Sequence, residues 1–153
     1  MIMEDLCLKI LEQRGIKPTA IRMLVLKAMM ETEQAVSLLD LENKLDTVDK
    51  STIFRTITLF VSHHLAHSVD DGTGSLKYAV CDSECTCAVK DLHTHFYCEY
   101  CHKTFCLENI HVPVVDLPEG FAVRSINYRM WGHHTWQILP SRCHPPPSVV
   151  YGA

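Results

Sequence analysis

The feature that most constrains this chain is the run His93-Thr94-His95-Phe96-Tyr97-Cys98-Glu99-Tyr100-Cys101, which packs two imidazoles and two thiols into nine positions. Side chains alternate faces along a strand, so His93 and His95 are expected to point the same way. The Cys-x-x-Cys pair converges on one ion only if the chain turns tightly between Cys98 and Cys101. Two thiolates at that spacing suit tetrahedral zinc, and the run reads as a metal-bearing strand and knuckle. The alternative is that the cysteines are small buried hydrophobes and the histidines decorate a surface.

Eight cysteines in 153 residues would also permit a disulfide scaffold. However, the start Met1-Ile2-Met3-Glu4-Asp5 has neither the basic nor the apolar region of a signal peptide, which predicts a reducing cytoplasm. No apolar run approaches the ~20 residues that span a bilayer, so a membrane role has no support. The length fits one ordinary domain or two small ones. A net charge of -4 argues against nonspecific coating of nucleic acid, though not against a local basic reading face.

Upstream of the cluster the pattern is helical. Leu6, Ile10 and Leu11 recur at helix spacing between Glu4 and Arg14, and Gly15 supplies a stop. Thr19 opens a second run through Ile21, Leu24, Val25, Ala28 and Met29, and Ser37 is the expected N-cap of a short third helix through Leu38, Leu41 and Leu45. A fourth helix starts at Asp49-Lys50-Ser51-Thr52 and runs through Ile53, Phe54, Ile57, Leu59, Phe60 and Val61 to His63-His64. Lys50, Ser51, Thr52 and Arg55 crowd its first turn and a half, where a recognition helix would meet a major groove. Taken alone, that end also reads as a solvated polar face.

Two β-prone runs, Leu65 to Val69 and Leu76 to Val80, flank the turn-forming Asp70-Asp71-Gly72-Thr73-Gly74, which predicts a hairpin. Three helices, a reader-like helix and a hairpin are the order of a winged helix. The expected organisation is α+β: a winged-helix domain over 1–80, a hinge over 81–91, a small α/β metal-binding domain over 92–139, and an irregular tail over 140–153 containing Pro145-Pro146-Pro147. Strands are expected over Lys103 to Leu107 and over Phe121 to Met130. A small sheet with open edges is apt to pair with a twin.

Taken in order, these stretches resemble the ferric uptake regulator family of metal-responsive transcriptional repressors, over roughly residues 8 to 132. Gly15-Ile16-Lys17-Pro18-Thr19-Ala20-Ile21-Arg22 looks like the family's opening. Ser51-Thr52-Ile53-Phe54-Arg55-Thr56 looks like its recognition motif, with Phe54 in place of the usual Tyr, and Asp71-Gly72 with Tyr78 resembles its wing. His93-x-His95-x-x-Cys98-x-x-Cys101 is similar to its metal signature, the most specific of the four. The resemblance implies a homodimer on an operator in double-stranded DNA, with a C-terminal dimerisation domain and metal binding at the hinge. Lys17 and Arg22 would lie near backbone or minor groove, and Arg55 in the major groove. Phe54 lacks the hydroxyl donor of the usual Tyr.

The resemblance also separates two metal roles. A structural zinc would use Cys98 and Cys101, but the second Cys-x-x-Cys that usually follows a Gly is missing after Gly132, where His133, His134, Cys143 and His144 are the donors at hand. Either His134 and Cys143 complete a tetrahedron, or the first pair binds zinc weakly or not at all. For sensing, zinc-responsive members tend to place a linker Cys six residues before the first His, and Cys87 stands six before His93. A Cys, His, His set suits Zn(II) better than Fe(II) or Mn(II). Asp71, Cys81 and Cys106 are the candidates for a fourth ligand.

These features predict a zinc-responsive repressor, with an iron or peroxide sensor of the same family as the near alternative. A zinc-stabilised protein-interaction module would not need Lys17, Arg22 and Arg55. A zinc hydrolase or deaminase would need a general base and a His-Glu-type motif that the sequence lacks, so neither an enzyme nor a small-molecule substrate is expected.

Overall fold

The computed structural model describes residues 2–32, 34–81, 93–113, 115–123 and 126–133. The chain divides into two compact units, Met1–Thr86 and Cys87–Ala153. Among the described residues, no helix is long and apolar enough to cross a membrane.

In the first unit, α1 (Ile2–Gln13), α2 (Ala20–Met30), α3 (Leu38–Lys44) and α4 (Lys50–Ser62) close over one core. Each helix turns an apolar stripe inward: Leu11, Val25, Leu26, Leu41, Ile53, Ile57 and Phe60 are all essentially solvent-free. The helix ends are set locally. Gly15 takes φ +67° behind α1, and Ile16 N–H reaches back to the Leu11 carbonyl at 2.8 Å, so an orphan carbonyl is satisfied and Ile16 is buried. The same six-to-one bond closes α4 from Leu65 to the Phe60 carbonyl at 2.8 Å, with His64 rather than glycine in the left-handed region at φ +56°. His63 Nδ1 lies 2.8 Å from the Arg14 carbonyl, which can only accept, so Nδ1 carries the proton and ties the end of α4 to the end of α1.

Ser37 caps α3 in a full capping box. Its hydroxyl accepts from Asp40 N–H at 3.1 Å, while Ser37 N–H donates to the Asp40 carboxylate at 2.8 Å. A three-stranded sheet completes the unit in the order β1 (Val36–Ser37), β3 (Lys77–Val80), β2 (Ala66–Val69), antiparallel throughout. The hairpin of β2 and β3 is the wing of a winged helix. The two-residue β1 carries no periodicity of its own and follows only from its pairing with Lys77 and Tyr78.

The second unit is a three-stranded sheet in the order β5 (Thr104–His111), β4 (His93–Cys98), β6 (Arg129–Gly132). β4 is central, antiparallel to β5 and parallel to β6. The register shifts between His93 and Thr94, with the extra residues on the β5 side, so β4 itself runs on without an insertion. Its buried cluster is small: Cys98 and Phe105, with Phe96 and Cys101 against them.

The second strand expected in this half begins later than the sequence suggested. Phe121–Val123 and Ile126–Tyr128 carry no regular structure, and the strand is Arg129–Gly132. Gly120 at φ +91° lies inside a turn in which Phe121 N–H bonds the Pro118 carbonyl, and Phe121 stays 72% exposed. Among the described residues of that stretch, pairing starts with His95 N–H on the Tyr128 carbonyl at 3.2 Å, just before the strand. The expected hinge residues 82–91 and the tail lie outside the described residues.

Candidate nucleic-acid interface and metal centre

The outward face of α4 carries Ser51, Phe54, Arg55 and Thr58, spaced three and four apart, while Ile53, Thr56, Ile57 and Phe60 face the core. Arg55 is exposed at the middle of this stripe, and beside it Phe54 leaves 49% of its surface in solvent. In sequence Phe54 counted among the apolar residues of the helix; only its angle around the axis separates it from the core set. An exposed phenyl ring next to an exposed guanidinium makes a face suited to base edges, with apolar surface for thymine methyls and donors for guanine.

The tip of α4 is more constrained than its residue types suggest. Asp49 is the N-cap and accepts from Thr52 N–H at 3.0 Å and from the hydroxyls of both Ser51 and Thr52. Those hydroxyl bonds, Ser51's first, pull the Asp49 carboxyl down to about 2. Two of the predicted DNA-facing hydroxyls thus serve the cap, and Lys50 sits 3.5 Å from Glu42 as an exposed pair. Arg22 likewise works locally, donating to the Lys17 carbonyl at 2.6 Å and shaping the entry to α2, while Thr19 caps that helix from 3.4 Å. Lys17 itself is exposed.

On the metal side, pairing brings together two donors far apart in sequence. His95 and Cys106 are direct cross-strand partners in β4 and β5, with an imidazole nitrogen and the thiol sulfur within 4.8 Å of each other. Both side chains are half-buried, as a site reached by an ion requires. His93 stands on β4 opposite His111 in the backbone register.

The knuckle is closed by backbone bonds. Cys98 N–H donates to the Lys103 carbonyl at 2.9 Å and His102 N–H to the Cys98 carbonyl at 2.8 Å, with His102 at φ +58°. Tyr97 OH meets His102 Nδ1 at 2.9 Å. Cys98 is fully buried and Cys101 half-buried on this turn. On the other side of β4, Gly132 is the register partner of Cys98, and Glu99 N–H bonds its carbonyl at 2.8 Å. The chain therefore leaves β6 beside the knuckle, with His133 as its next residue.

Other sequence candidates are engaged elsewhere. The Asp71 carboxylate is 1% exposed, pairs with Lys77 Nζ at 2.6 Å and accepts from Thr73. Cys81 lies at the end of the wing sheet, its N–H on the Leu65 carbonyl at 2.8 Å and its sulfur 3.3 Å from His67 Nδ1. Cys87, His134 and Cys143 lie outside the described residues.

Against this geometry the comparisons are decisive. The sequence profile of the ferric uptake regulator family matches residues 13–127. The chain belongs to this family. Members of the ferric uptake regulator family are transcription regulators and not enzymes. Among solved structures, a zinc uptake regulator complexed with zinc and DNA is similar at 19% identity and TM-score 0.64, with 88% of this chain and 94% of that one covered. The ferric uptake regulator of Vibrio cholerae is similar at 14% identity and TM-score 0.56, covering 83% and 98%. That of Pseudomonas aeruginosa, with manganese, stands at 17% and 0.53, covering 82% and 95%. These likenesses carry the fold: a winged helix followed by a small α/β domain. The search of curated proteins gave no significant match.

Proposed function

We propose that this family member is a zinc-responsive repressor that binds an operator in double-stranded DNA as a homodimer. The observation that carries the zinc assignment is the cross-strand pair of His95 and Cys106. A thiol beside an imidazole is a soft, nitrogen-rich donor set that suits Zn(II), whereas Fe(II) and Mn(II) favour carboxylates. With Asp71 occupied by Lys77 and Thr73, Cys106 is the better-placed fourth donor to join Cys87, His93 and His95. Zn(II) in that set would supply a fixed tetrahedral anchor without redox chemistry.

Cys87 begins the second unit, so gripping it together with the β4 histidines ties the segment that follows the wing to the central strand. Ordering that segment favours the DNA-competent arrangement of two reader helices, with a coupling of ~1–3 kcal/mol. Arg55 and Phe54 then meet base edges, and Lys17 meets backbone. Cys98 and Cys101 hold a second, structural ion. The register of Gly132 beside Cys98 supports donors from the segment that follows it, among them His133 and His134, in place of the missing Cys pair.

The test is an operator titration at buffered free Zn(II), Fe(II) and Mn(II). Zn(II) should stimulate binding at the lowest free concentration, and Cys87→Ala, His95→Ala and Cys106→Ala should each abolish that stimulation while the dimer and the Cys98/Cys101 metal persist. Stimulation by Fe(II) or Mn(II) at lower free metal than Zn(II) would transfer the protein to the iron- or manganese-responsive branch.

A further inference from the structure

The polar side chains on the outward face of α4 differ in what they have left to offer a base. Ser51, Phe54, Arg55 and Thr58 follow the i, i+3, i+4, i+7 spacing of one stripe, the stripe that a helix lying in a major groove turns to base edges. Thr58 is exposed, yet its Oγ1 donates to the Phe54 carbonyl at 2.8 Å. A carbonyl can only accept, so the one hydroxyl proton of Thr58 is committed to the backbone and its lone pairs are left to face outward. Ser51 is committed as well, its hydroxyl donating to the Asp49 carboxylate at the cap. Thr56 makes the same bond to the Thr52 carbonyl at 2.9 Å, but it is buried and serves the helix alone.

Along the stripe, Arg55 therefore supplies donors, Phe54 an apolar ring, and Thr58 an acceptor with no proton to give. In the major groove such an acceptor has two partners, the exocyclic amino groups of adenine and cytosine, because guanine and thymine present O6 and O4 acceptors instead. A free hydroxyl would rotate to suit either kind of base, whereas one held by the backbone repels the second kind. Thr58 follows Arg55 by a rise of about 4.5 Å along the helix, against about 3.4 Å between stacked base pairs. The two side chains thus address neighbouring steps of one duplex.

We propose that Thr58 determines specificity within two base pairs of the guanine that Arg55 meets, its hydroxyl oxygen accepting from the amino group of an adenine or a cytosine. This inference rests on the DNA-binding reading above. Unlike a phosphate contact, it carries sequence. The bond to Phe54 makes the discrimination one-sided, because turning the hydroxyl round to donate would break it.

The test uses the full chain, supplied in turn with Zn(II), Fe(II) and Mn(II), and the duplexes that it selects from a random pool. Loss of a guanine preference in Arg55→Ala locates the Arg55 contact. Within two base pairs of it, wild type should select adenine or cytosine. Thr58→Val keeps the volume and the branching without the oxygen, and should lose that preference there and nowhere else. Its affinity for the wild-type duplex should fall by about three- to tenfold, the worth of one net hydrogen bond. Thr58→Ser keeps the oxygen and the bond to Phe54, and should restore both preference and affinity. Replacing the selected base by its analogue without the amino group, purine for adenine or 2-pyrimidinone for cytosine, should weaken wild type and leave Thr58→Val unaffected. Ser62 bonds the Leu59 carbonyl at 2.8 Å in the last turn of α4, and Ser62→Ala is the control that should select as wild type.

A guanine or thymine preference at that step in wild type would overturn the inference, and so would equal weakening of Thr58→Val on every sequence, which would leave Thr58 a residue of helix geometry alone. A Thr58→Ser variant that behaves like Thr58→Val would also overturn it, by making the methyl group the contact. If Arg55→Ala loses its guanine while Thr58→Val selects as wild type, Thr58 alone falls. Wild-type selection by Arg55→Ala would remove α4 from the base edges, and Thr58 with it. A wild-type chain that selects no duplex with any of the three metals sinks the DNA-binding reading as well.

Discussion

The two units of this chain hold themselves together differently. The first buries a continuous apolar cluster from all four helices and the wing sheet, with Phe60, Leu11, Leu26, Leu41 and Ile53 out of solvent. The second has Cys98 and Phe105 as its buried cluster among the described residues, and leaves Ile110, Val115, Leu117, Phe121, Tyr128 and Trp131 between 45% and 72% exposed. Among the described residues this unit therefore shows less apolar burial and more uncovered apolar surface than the first. The first unit is held by packing.

The sharpest way to break that contrast is to remove the metal from the second unit. Cys98→Ser, or chelation of the wild type, should release zinc and disperse the dimer, because structural zinc is worth on the order of 10 kcal/mol of folding free energy. Circular dichroism should show the helices of the first unit surviving. A dimer that persists with its metal content unaltered would make the Cys98/Cys101 pair ordinary packing.

Phe60→Ala is the mirror experiment. It empties the centre of the helical core and should cost about 3–5 kcal/mol, lowering the melting transition of the first unit and abolishing DNA binding while bound zinc per chain is retained. Zinc loss in that variant would mean that the units do not stand on separate footings.

Arg55→Ala lies on the surface and should leave both units intact. It should weaken operator binding by about 1–3 kcal/mol with metal content unchanged. Phe54→Ala should weaken it less, and most on operators rich in thymine opposite the helix. Unchanged affinity in Arg55→Ala would remove α4 as the reader.

The smallest effect is acid-dependent. The Asp49 carboxyl is lowered from 3.8 to about 2 by the Ser51 and Thr52 hydroxyls, so its charged form is favoured in the folded state. Its contribution to the cap is fully present above the ordinary carboxyl range and is lost as pH falls from about 3.8 towards 2. A pH titration of helicity should show Asp49→Asn flattening that part of the profile, whereas an identical profile in the variant would remove Asp49 as its source.

Where the sequence was legible, the signal was local. Helix periodicity, the Ser37 cap and the turn between β2 and β3 each lie within a few residues of what they determine, and all appear in the fold. Helix α4 was visible for the same reason. The proximity of His95 to Cys106 was not, because it depends on how many residues the knuckle consumes before β5 begins. Asp71 had the chemistry of a ligand, and only its burial against Lys77 shows that its lone pairs are in use. The exposed Phe54 was hidden by the converse problem: its residue type says core, and its angle on α4 says surface.

The parallel pairing of β4 with β6 has a consequence in time. His95 cannot meet Arg129, nor Cys98 meet Gly132, until the last of these residues has been synthesised, whereas every helix and strand of the first unit is complete before Thr86. At ~5–20 residues per second, the ribosome needs several more seconds to deliver β6. The helices and strands of the first unit can therefore pair while the sheet of the second still lacks one edge strand.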